Sequence, residues 1–318
     1  MIVCLRQNEG EFPPRRKFSY QKYFALGRII IRRKPTIIRA PRDYHSAKQI
    51  IIPPNGRITL DIRIQLCYNV SIILYGDKTM SDYKKYEKGF IKYAHRGASE
   101  YLPENTLLSF YTGVYMQANG IETDVRHTAD GVLVLFHDNT LERVTGDPRT
   151  VEECTLAELM ELDVKKDGYT DKIVVFEDFL KKFAFRDILF AIELKGEGVE
   201  KDTADLLRKY GLEKKAIITS FHLEYLKNFV AYAPEFEFGL LTKEVTPELE
   251  AELLAMGATE ICPRATLMSA EDVERWHKMG FRVRAWGIKD EEIMKFAYDA
   301  GVDGMTCNFP DKLEEYRK

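Results

Sequence analysis

The stretch "IKYAHRGASEYLPENTLLSF", residues 91–110, joins a short apolar run to a polar loop and then to a run with helical spacing. A strand that leads into a helix is the repeating unit of parallel α/β folds. The same alternation continues to the end of the chain. Its strand-like runs are "FIKYAHRG", "GIETDV", "DILFAIELKG", "KAIITSF", "FEFGLL", "TEICPR", "FRVRAWGI" and "VDGMTC".

Eight strand-like runs that alternate with helical runs predict an α/β fold of the (β/α)₈ TIM-barrel type over residues 86–318, with an insertion near residues 139–180. Several helical runs end in glycine, which is common just after a helix C terminus. An open doubly wound sheet is the alternative architecture. That fold usually carries a glycine-rich phosphate loop after its first strand, and "HRGASE" is not such a loop.

The front of the chain, residues 1–85, has a different pattern. Short β-branched runs such as "RIIIRR" and "RITLDIRIQL", separated by turn signals such as "PPNG", predict a small accessory all-β module. Residues 1–90 hold 18 Lys plus Arg against 7 Asp plus Glu, a net charge of +11, whereas the rest of the chain carries −14. We therefore expect the module to dock on the acidic barrel, or to bind an anionic membrane surface or polymer.

Composition excludes several classes of protein. Hydrophobic content of 45% and charged content of 31% are those of a soluble globular chain. Apolar runs are much shorter than the roughly 18–20 residues of a membrane helix, and the N terminus lacks a secretory apolar region, so a cytoplasmic location is expected. Five scattered cysteines without a CxxC pair indicate neither a disulfide framework nor a thiolate zinc site. The front region also lacks the interleaved stacking aromatics of nucleic-acid-binding motifs, so a nucleic-acid partner is not expected.

Ionisable residues stand near the ends of several of these runs. In a TIM barrel, the C-terminal ends of the strands surround the active site. Side chains at i and i+2 on a strand point to the same face, so neighbouring pairs would converge there. The pairs are His95 with Arg96, Glu122 with Asp124, His137 with Asp138, and Glu193 with Lys195.

This set of side chains matches the needs of phosphodiester hydrolysis. Three carboxylates suit a hard divalent cation such as Mg²⁺ or Ca²⁺, which would offset the negative charge of the phosphate. The planar fork of Arg96 can bind two phosphate oxygens at once. Two histidines, His95 and His137, can remove a proton from the nucleophile and return one to the leaving alcohol. We therefore expect a metal-dependent phosphodiesterase.

The order and spacing of the motifs resemble those of the glycerophosphodiester phosphodiesterase family. The resemblance runs from about residue 91 to residue 313, and its motifs are "HRG" with "PENT", "GIETDV", "DGVLVLFHDNTLERVTG", "AIELKG" and "GVDGMTCNFPD". It implies a (β/α)₈ barrel that hydrolyses a small-molecule glycerophosphodiester to glycerol 3-phosphate and an alcohol. A related lysophospholipase D or sphingomyelinase D activity is the alternative.

Carried over motif by motif, the resemblance implies a role for each candidate residue. The roles are metal ligands for Glu122, Asp124 and Glu193; acid and base for His95 and His137, in either order; phosphate contacts for Arg96 and Lys195; and pocket residues for Glu104, Phe221 and Trp286. A barrel used only for binding would be expected to lose a ligand or a histidine, and this chain keeps them all.

Two departures from the family pattern bear on the substrate. Asn308 stands where the family usually has an aspartate, and the seventh strand reads Trp286, Gly287, Ile288, Lys289. Neither replaces a predicted metal ligand or histidine, so we expect them to affect the headgroup and not the reaction. The remaining histidines are expected to be solvated or structural; they are His45, His127, His222 and His277.

Overall fold

The computed structural model describes residues 90–317 and, in the front region, the segments Ile2–Cys4, Phe24–Ala25, Arg28–Ile29 and Ile73–Tyr75. The chain divides into two units, Met1–Lys85 and Tyr86–Lys318. In the first unit, the first and last of these segments pair as antiparallel strands, and so do the middle two. The other predicted strands of the all-β module lie outside the described residues, so the module stays a prediction.

The second unit is built on eight parallel strands in chain order. They are β1 (Ile91–His95), β2 (Gly120–His127), β3 (Leu189–Leu194), β4 (Ala216–Ser220), β5 (Glu237–Thr242), β6 (Glu260–Pro263), β7 (Arg282–Ile288) and β8 (Gly304–Cys307). Each strand pairs with the next, and β8 pairs with β1 through Gly304 and Ile91. The sheet therefore closes on itself, which confirms the predicted (β/α)₈ barrel.

Helices cover the outside of this barrel. They are α1 (Leu107–Tyr115), α2 (Glu142–Thr145), α3 (Leu156–Glu161), α4 (Phe176–Phe183), α5 (Glu200–Lys209), α6 (Leu223–Tyr232), α7 (Pro247–Met256), α8 (Ala270–Met279), α9 (Glu291–Asp299) and α10 (Pro310–Tyr316). Local signals set their ends: Thr106 caps α1 by accepting from the Ser109 backbone, and α7 and α8 stop at Gly257 and Gly280, both left-handed. Buried apolar residues of the barrel helices belong to the main core, such as Phe179 of α4, Leu207 of α5 and Phe229 of α6, whereas Val144 of α2 and Leu159 of α3 lie in a separate cluster.

The connection between β2 and β3 is the longest in the barrel. It holds a strand, Leu133–Leu135, that pairs antiparallel with β2, then α2, α3 and the hairpin of Val164–Lys166 with Tyr169–Asp171. Helix α4 follows and packs on the barrel, with Phe179 edge-on to Phe190 of β3 at 5.8 Å between ring centroids. The added structure therefore ends before α4, which serves as the second helix of the barrel.

The barrel interior is filled, so the site has to lie at its mouth. Arg284 of β7 donates to Glu260 of β6 at 2.8 Å and to Thr306 of β8 at 3.0 Å, and its guanidinium carbon lies 5.0 Å from the centroid of the Tyr93 ring. Burying this charge is tolerated because the carboxylate and the hydroxyl satisfy it. Within residues 90–317 and the described front segments, no helix is long and apolar enough to cross a bilayer.

Candidate active site

A left-handed turn at the end of β1 positions the first two candidate residues. His95 is the last residue of the strand, and Arg96 and Gly97 follow with φ of 53° and 85°. A Cβ on Gly97 would collide with Ser109, so only glycine fits here. The Arg96 backbone N–H donates to both the carbonyl oxygen and the carboxylate of Glu122, at 3.0 and 3.1 Å. The turn thus ties the end of β1 to β2.

A cluster of three acids lies on β2 and β3, where Glu122 is the register partner of His95 at the end of β1. Glu122 and Asp124 share one face of β2, and Glu193 is the register partner of Asp124 on β3. One carboxylate oxygen from each lies within 4.8 Å of the others, and the residues are 3%, 0% and 5% exposed. Asp124 Oδ1 is buried without a hydrogen-bond donor, and the one close cation at Glu193 Oε1 among the described residues is Lys195. Three buried carboxylates whose oxygens lie this close together are compatible with a divalent metal site.

The protonation equilibria of these acids reflect their crowding. Burial, together with the charges of Asp124 and Glu193, raises the pKa of Glu122 well above its usual value. Burial also raises the pKa of Glu193, to about 7. Burial acts on Asp124 in the same direction, but His137 and Arg96 outweigh it and lower the pKa of Asp124. Bringing three negative charges together is therefore unfavourable unless a cation is held between them.

Two cationic side chains border the acids. Arg96 contacts Glu104 at 2.8 Å through Nη1 and Asp124 at 3.3 Å through Nε. Lys195 Nζ lies 2.6 Å from Glu193 and 3.8 Å from Asp124. The residues predicted to bind phosphate are thus brought beside the residues predicted to bind metal. Cationic side chains next to a carboxylate cluster can bind an anionic group at the barrel mouth.

The two candidate histidines have different partners. His95 Nδ1 hydrogen-bonds to Asn308 Oδ1 at 2.6 Å, and its Nε2 lies 3.9 Å from Glu122. His137, which follows the strand Leu133–Leu135, hydrogen-bonds through Nδ1 to Asp138 at 2.7 Å. Burial lowers the pKa of His95 to about 3, and burial also lowers the pKa of His137. One imidazole is thus oriented by an amide and the other by a carboxylate.

An aromatic pair forms another part of the mouth. The rings of Phe221, just after β4, and Trp286, on β7, meet edge-to-face at a centroid distance of 4.9 Å. Trp286 Nε1 donates to the carbonyls of Thr242 and Cys262 at 3.2 and 3.0 Å. Lys195 Nζ lies 5.3 Å from the centroid of Phe221. Phe221 therefore borders the cationic side of the site, and Trp286 packs against Phe221.

Two residues of the site were not singled out by the sequence analysis. Asn105 donates to Asp124 at 2.9 Å and accepts from Thr123 at 2.8 Å, in a left-handed conformation with φ of 54°. Arg143 donates to both Glu104 and Asp138. The motifs "PENT" and "DNTLERVTG" contain these residues, but nothing in either motif specifies the contact.

The structure also changes the interpretation of Asn308 and His222, which were not predicted to take part in the reaction. Asn308 was expected to bear on the headgroup, yet it contacts His95, so this departure from the family pattern reaches a candidate catalytic residue. His222 was expected to be solvated or structural, yet it lines a cavity together with His137 and Lys195. The other histidines of the barrel pair with carboxylates away from these residues, and His45 lies outside the described residues; the pairs are His127 with Asp202 and His277 with Asp303.

Comparison with known proteins identifies the family to which this barrel belongs. The model of the glycerophosphoryl diester phosphodiesterase family matches residues 95–312. A glycerophosphodiester phosphodiesterase of Caldanaerobacter subterraneus subsp. tengcongensis is 32% identical over 229 residues, covering 69% of this chain and 94% of the relative. A crystal structure of a glycerophosphodiester phosphodiesterase from Parabacteroides distasonis has a TM-score of 0.62 at 26% identity, covering 72% of this chain and 96% of that one.

A further solved structure, an Oleispira antarctica phosphodiesterase in complex with the product sn-glycerol-3-phosphate, has a TM-score of 0.64 at 24% identity. It covers 71% of this chain and 95% of its own, and at this identity the likeness concerns the fold. The family match includes the barrel from the end of β1 to α10 and every candidate residue named above. The chain therefore belongs to the glycerophosphoryl diester phosphodiesterase family and is a phosphoric diester hydrolase.

Proposed function

We propose that the chain hydrolyses glycerophosphodiesters to glycerol 3-phosphate and an alcohol, with a divalent cation held by Glu122, Asp124 and Glu193. One observation carries the proposal. The three carboxylates are buried at the mouth of the barrel, and one oxygen of each lies within 4.8 Å of the others. Arg96 and Lys195 lie at their edge, where a phosphate would need cationic contacts. The product complex of the Oleispira antarctica relative is consistent with this choice of substrate.

Oxygen ligands alone favour a hard cation, so Mg²⁺ or Ca²⁺ is the proposed metal. When bound, such a cation neutralises charge on the phosphate as a Lewis acid. The side chains of the protein supply the rest of the charge balance. Arg96 offers a planar fork to two phosphate oxygens, and Lys195 offers a point charge from the side of Glu193. Glu104 holds the Arg96 fork in place at 2.8 Å.

The different partners of the two histidines support a division of labour. The amide oxygen of Asn308 accepts from His95 Nδ1–H, which leaves Nε2 of the neutral ring to take a proton from the nucleophile. His137 Nδ1 instead contacts the Asp138 carboxylate, which favours the protonated ring although burial lowers the pKa of His137 overall. We therefore assign His95 as the general base and His137 as the general acid that protonates the leaving alcohol.

Product analysis tests the proposal. The purified full-length chain, supplied with Mg²⁺ or Ca²⁺, is incubated with glycerophosphocholine or glycerophosphoglycerol, and the products are quantified. We expect glycerol 3-phosphate and the free alcohol in equal amounts, and no turnover by Asp124→Asn. Cleavage on the other side of the phosphorus, which yields phosphocholine and glycerol from glycerophosphocholine, would contradict the assignment. So would hydrolysis of neither substrate.

A lysophospholipid substrate is the second candidate, and apolar side chains at the mouth favour it. Phe221 after β4 is 38% exposed, and Leu267, in the turn after β6, is 57% exposed. An acyl chain could cover both, at about 0.8 kcal/mol for each methylene removed from water. The discriminating measurement is kcat/KM for lysophosphatidylcholine against glycerophosphocholine, which share a headgroup. A higher value for the lipid would favour this candidate.

The front region, residues 1–85, is proposed to be accessory. Every residue assigned to chemistry lies at or beyond His95, and the family match begins there. The net charge of +11 on residues 1–90 supports docking on the acidic barrel or recruitment to an anionic membrane surface or polymer. Binding of the chain to anionic vesicles distinguishes the two roles. Recruitment to an anionic surface predicts vesicle binding that weakens as ionic strength rises.

A further inference from the structure

A polar cavity adjoins the candidate active site. Its volume is about 390 Å³, and it shares His137 and Lys195 with the site. The remaining walls come from the end of β2, the start of the long β2–β3 connection and the turn after β4; they are formed by Arg126, Asp138, Asn139, Thr140 and His222. His95 is not among its walls. A group in this cavity would therefore lie beside one proposed proton-transfer residue and not the other.

We infer that this cavity binds the departing alcohol, and that it selects small, uncharged, hydroxylated headgroups such as glycerol. The inference rests on the proposed function, in which His137 protonates the leaving oxygen. A leaving oxygen within reach of His137 directs its substituent into the space that this imidazole borders. The glycerol 3-phosphate half then occupies the rest of the mouth, toward Phe221 and Trp286, which meet at 4.9 Å.

The walls of the cavity are suited to hydroxyl groups. Thr140 and His222 are exposed, and both can donate and accept hydrogen bonds. Arg126 is buried and fixed, since it donates to Glu152 at 2.8 Å, to Asn139 at 2.8 Å and to the carbonyl of His137 at 3.2 Å. Arg126 thus ties the segment at His137 and Asn139 to Glu152. Because this polar wall is already ordered, little conformational entropy is lost when a ligand binds.

The same walls disfavour other headgroups. Quaternary ammonium groups are usually recognised by the faces of Trp, Tyr or Phe rings, and none of these lines the cavity. The one carboxylate in the walls, Asp138, already pairs with His137 and Arg143, so the cavity offers choline or ethanolamine no unpaired negative charge. An apolar alcohol would lose its hydrophobic gain against polar atoms. A neutral polyol is the class left by these constraints.

Kinetics with two substrates that differ only in headgroup test the inference. We expect kcat/KM for glycerophosphoglycerol to exceed that for glycerophosphocholine by roughly tenfold, about the effect of one buried polar contact. Thr140→Val removes a hydroxyl at nearly constant volume and should lower only the glycerophosphoglycerol value. His222→Trp adds an aromatic face and should raise the glycerophosphocholine value. Thr170→Val and His277→Trp, at exposed positions that do not line the cavity, are the matched controls.

The outcomes separate this inference from the function on which it rests. Equal kcat/KM for the two headgroups in the unmodified chain would overturn the inference while leaving the hydrolase assignment intact. A preference that neither Thr140→Val nor His222→Trp changes would also overturn it, because the selectivity would then arise outside the cavity. Failure to hydrolyse either substrate, in contrast, would refute the proposed function itself.

Discussion

Arg143 and Glu104 form a two-pronged ion pair across the mouth of the barrel, with Nη1–Oε2 at 2.9 Å and Nη2–Oε1 at 2.7 Å. Glu104 also holds Arg96, and Arg143 also donates to Asp138, which in turn holds His137. An unbroken series of ion pairs therefore joins Arg96, proposed to bind the phosphate, to His137, proposed to be the general acid. Such a series fixes the relative positions of two groups that must act on one phosphate.

We predict that Arg143→Lys lowers kcat by about 10- to 100-fold with a smaller change in KM, because an ammonium group cannot reproduce the guanidinium fork. Arg149→Lys is the matched control. Arg149 lies in the same connection and pairs with Asp147 and Glu158, away from the site. Addition of guanidinium to Arg143→Ala should restore part of kcat. Equal kinetics for Arg143→Lys and the control would refute the positioning role.

The crowded acids predict an unusual pattern of thermal stability. In the metal-free protein, Glu122→Gln should raise Tm, because burial beside Asp124 and Glu193 makes this carboxyl group costly, whether it stays charged or binds a proton on folding. In the unmodified protein, a cation at 100 times its Kd should add about 2.7 kcal/mol to the free energy of unfolding. Glu122→Gln should show much less of this increase. Calorimetry with and without Mg²⁺ or Ca²⁺ measures both effects, and a metal-induced shift of the same size in the variant would refute the ligand role.

Removal of either histidine should reduce kcat by about 10²- to 10⁴-fold on a glycerophosphodiester. The two losses should differ on a nitrophenyl phosphodiester, whose leaving group needs no proton. His137→Ala should recover much of its rate there, whereas His95→Ala should not, since the nucleophile still has to lose a proton. Similar losses for both variants on both substrates would contradict the assignment of acid and base.

The front region supplies none of the assigned chemical groups, so a chain shortened to residues 86–318 should retain kcat/KM on a soluble glycerophosphodiester. The division between the two compact units of the chain falls between Lys85 and Tyr86. Circular dichroism provides the control that the shortened barrel is folded. Loss of turnover in a folded barrel would mean that residues 1–85 contribute to the site.

The sequence was most informative where a local pattern sets the structure. Alternating strand and helix patterns predicted all eight barrel strands, and helix ends at Gly257 and Gly280 follow from the left-handed backbone that glycine favours. The same-face spacing of Glu122 and Asp124 predicted that these carboxylates converge, because side chains alternate along a strand. The structure brings them together with Glu193 as that spacing implies.

Contacts between distant parts of the chain were not predictable in this way. His95 meets Asn308 only because β8 closes the barrel beside β1, and Glu104 meets Arg143 only because the β2–β3 connection folds over the mouth. Neither spacing nor periodicity carries information on such pairs. The partners are 213 and 39 residues apart in the chain, so these contacts form only in the finished barrel.

The most direct test of the central claim is turnover of a glycerophosphodiester in the presence and absence of a divalent cation. Chelator is added to the purified full-length chain, glycerol 3-phosphate release is followed, and Mg²⁺ or Ca²⁺ is then restored in excess. The three-carboxylate site predicts that release stops with chelator and resumes with the metal, and that Asp124→Asn stays inactive throughout. Undiminished release of glycerol 3-phosphate in excess chelator would contradict the account.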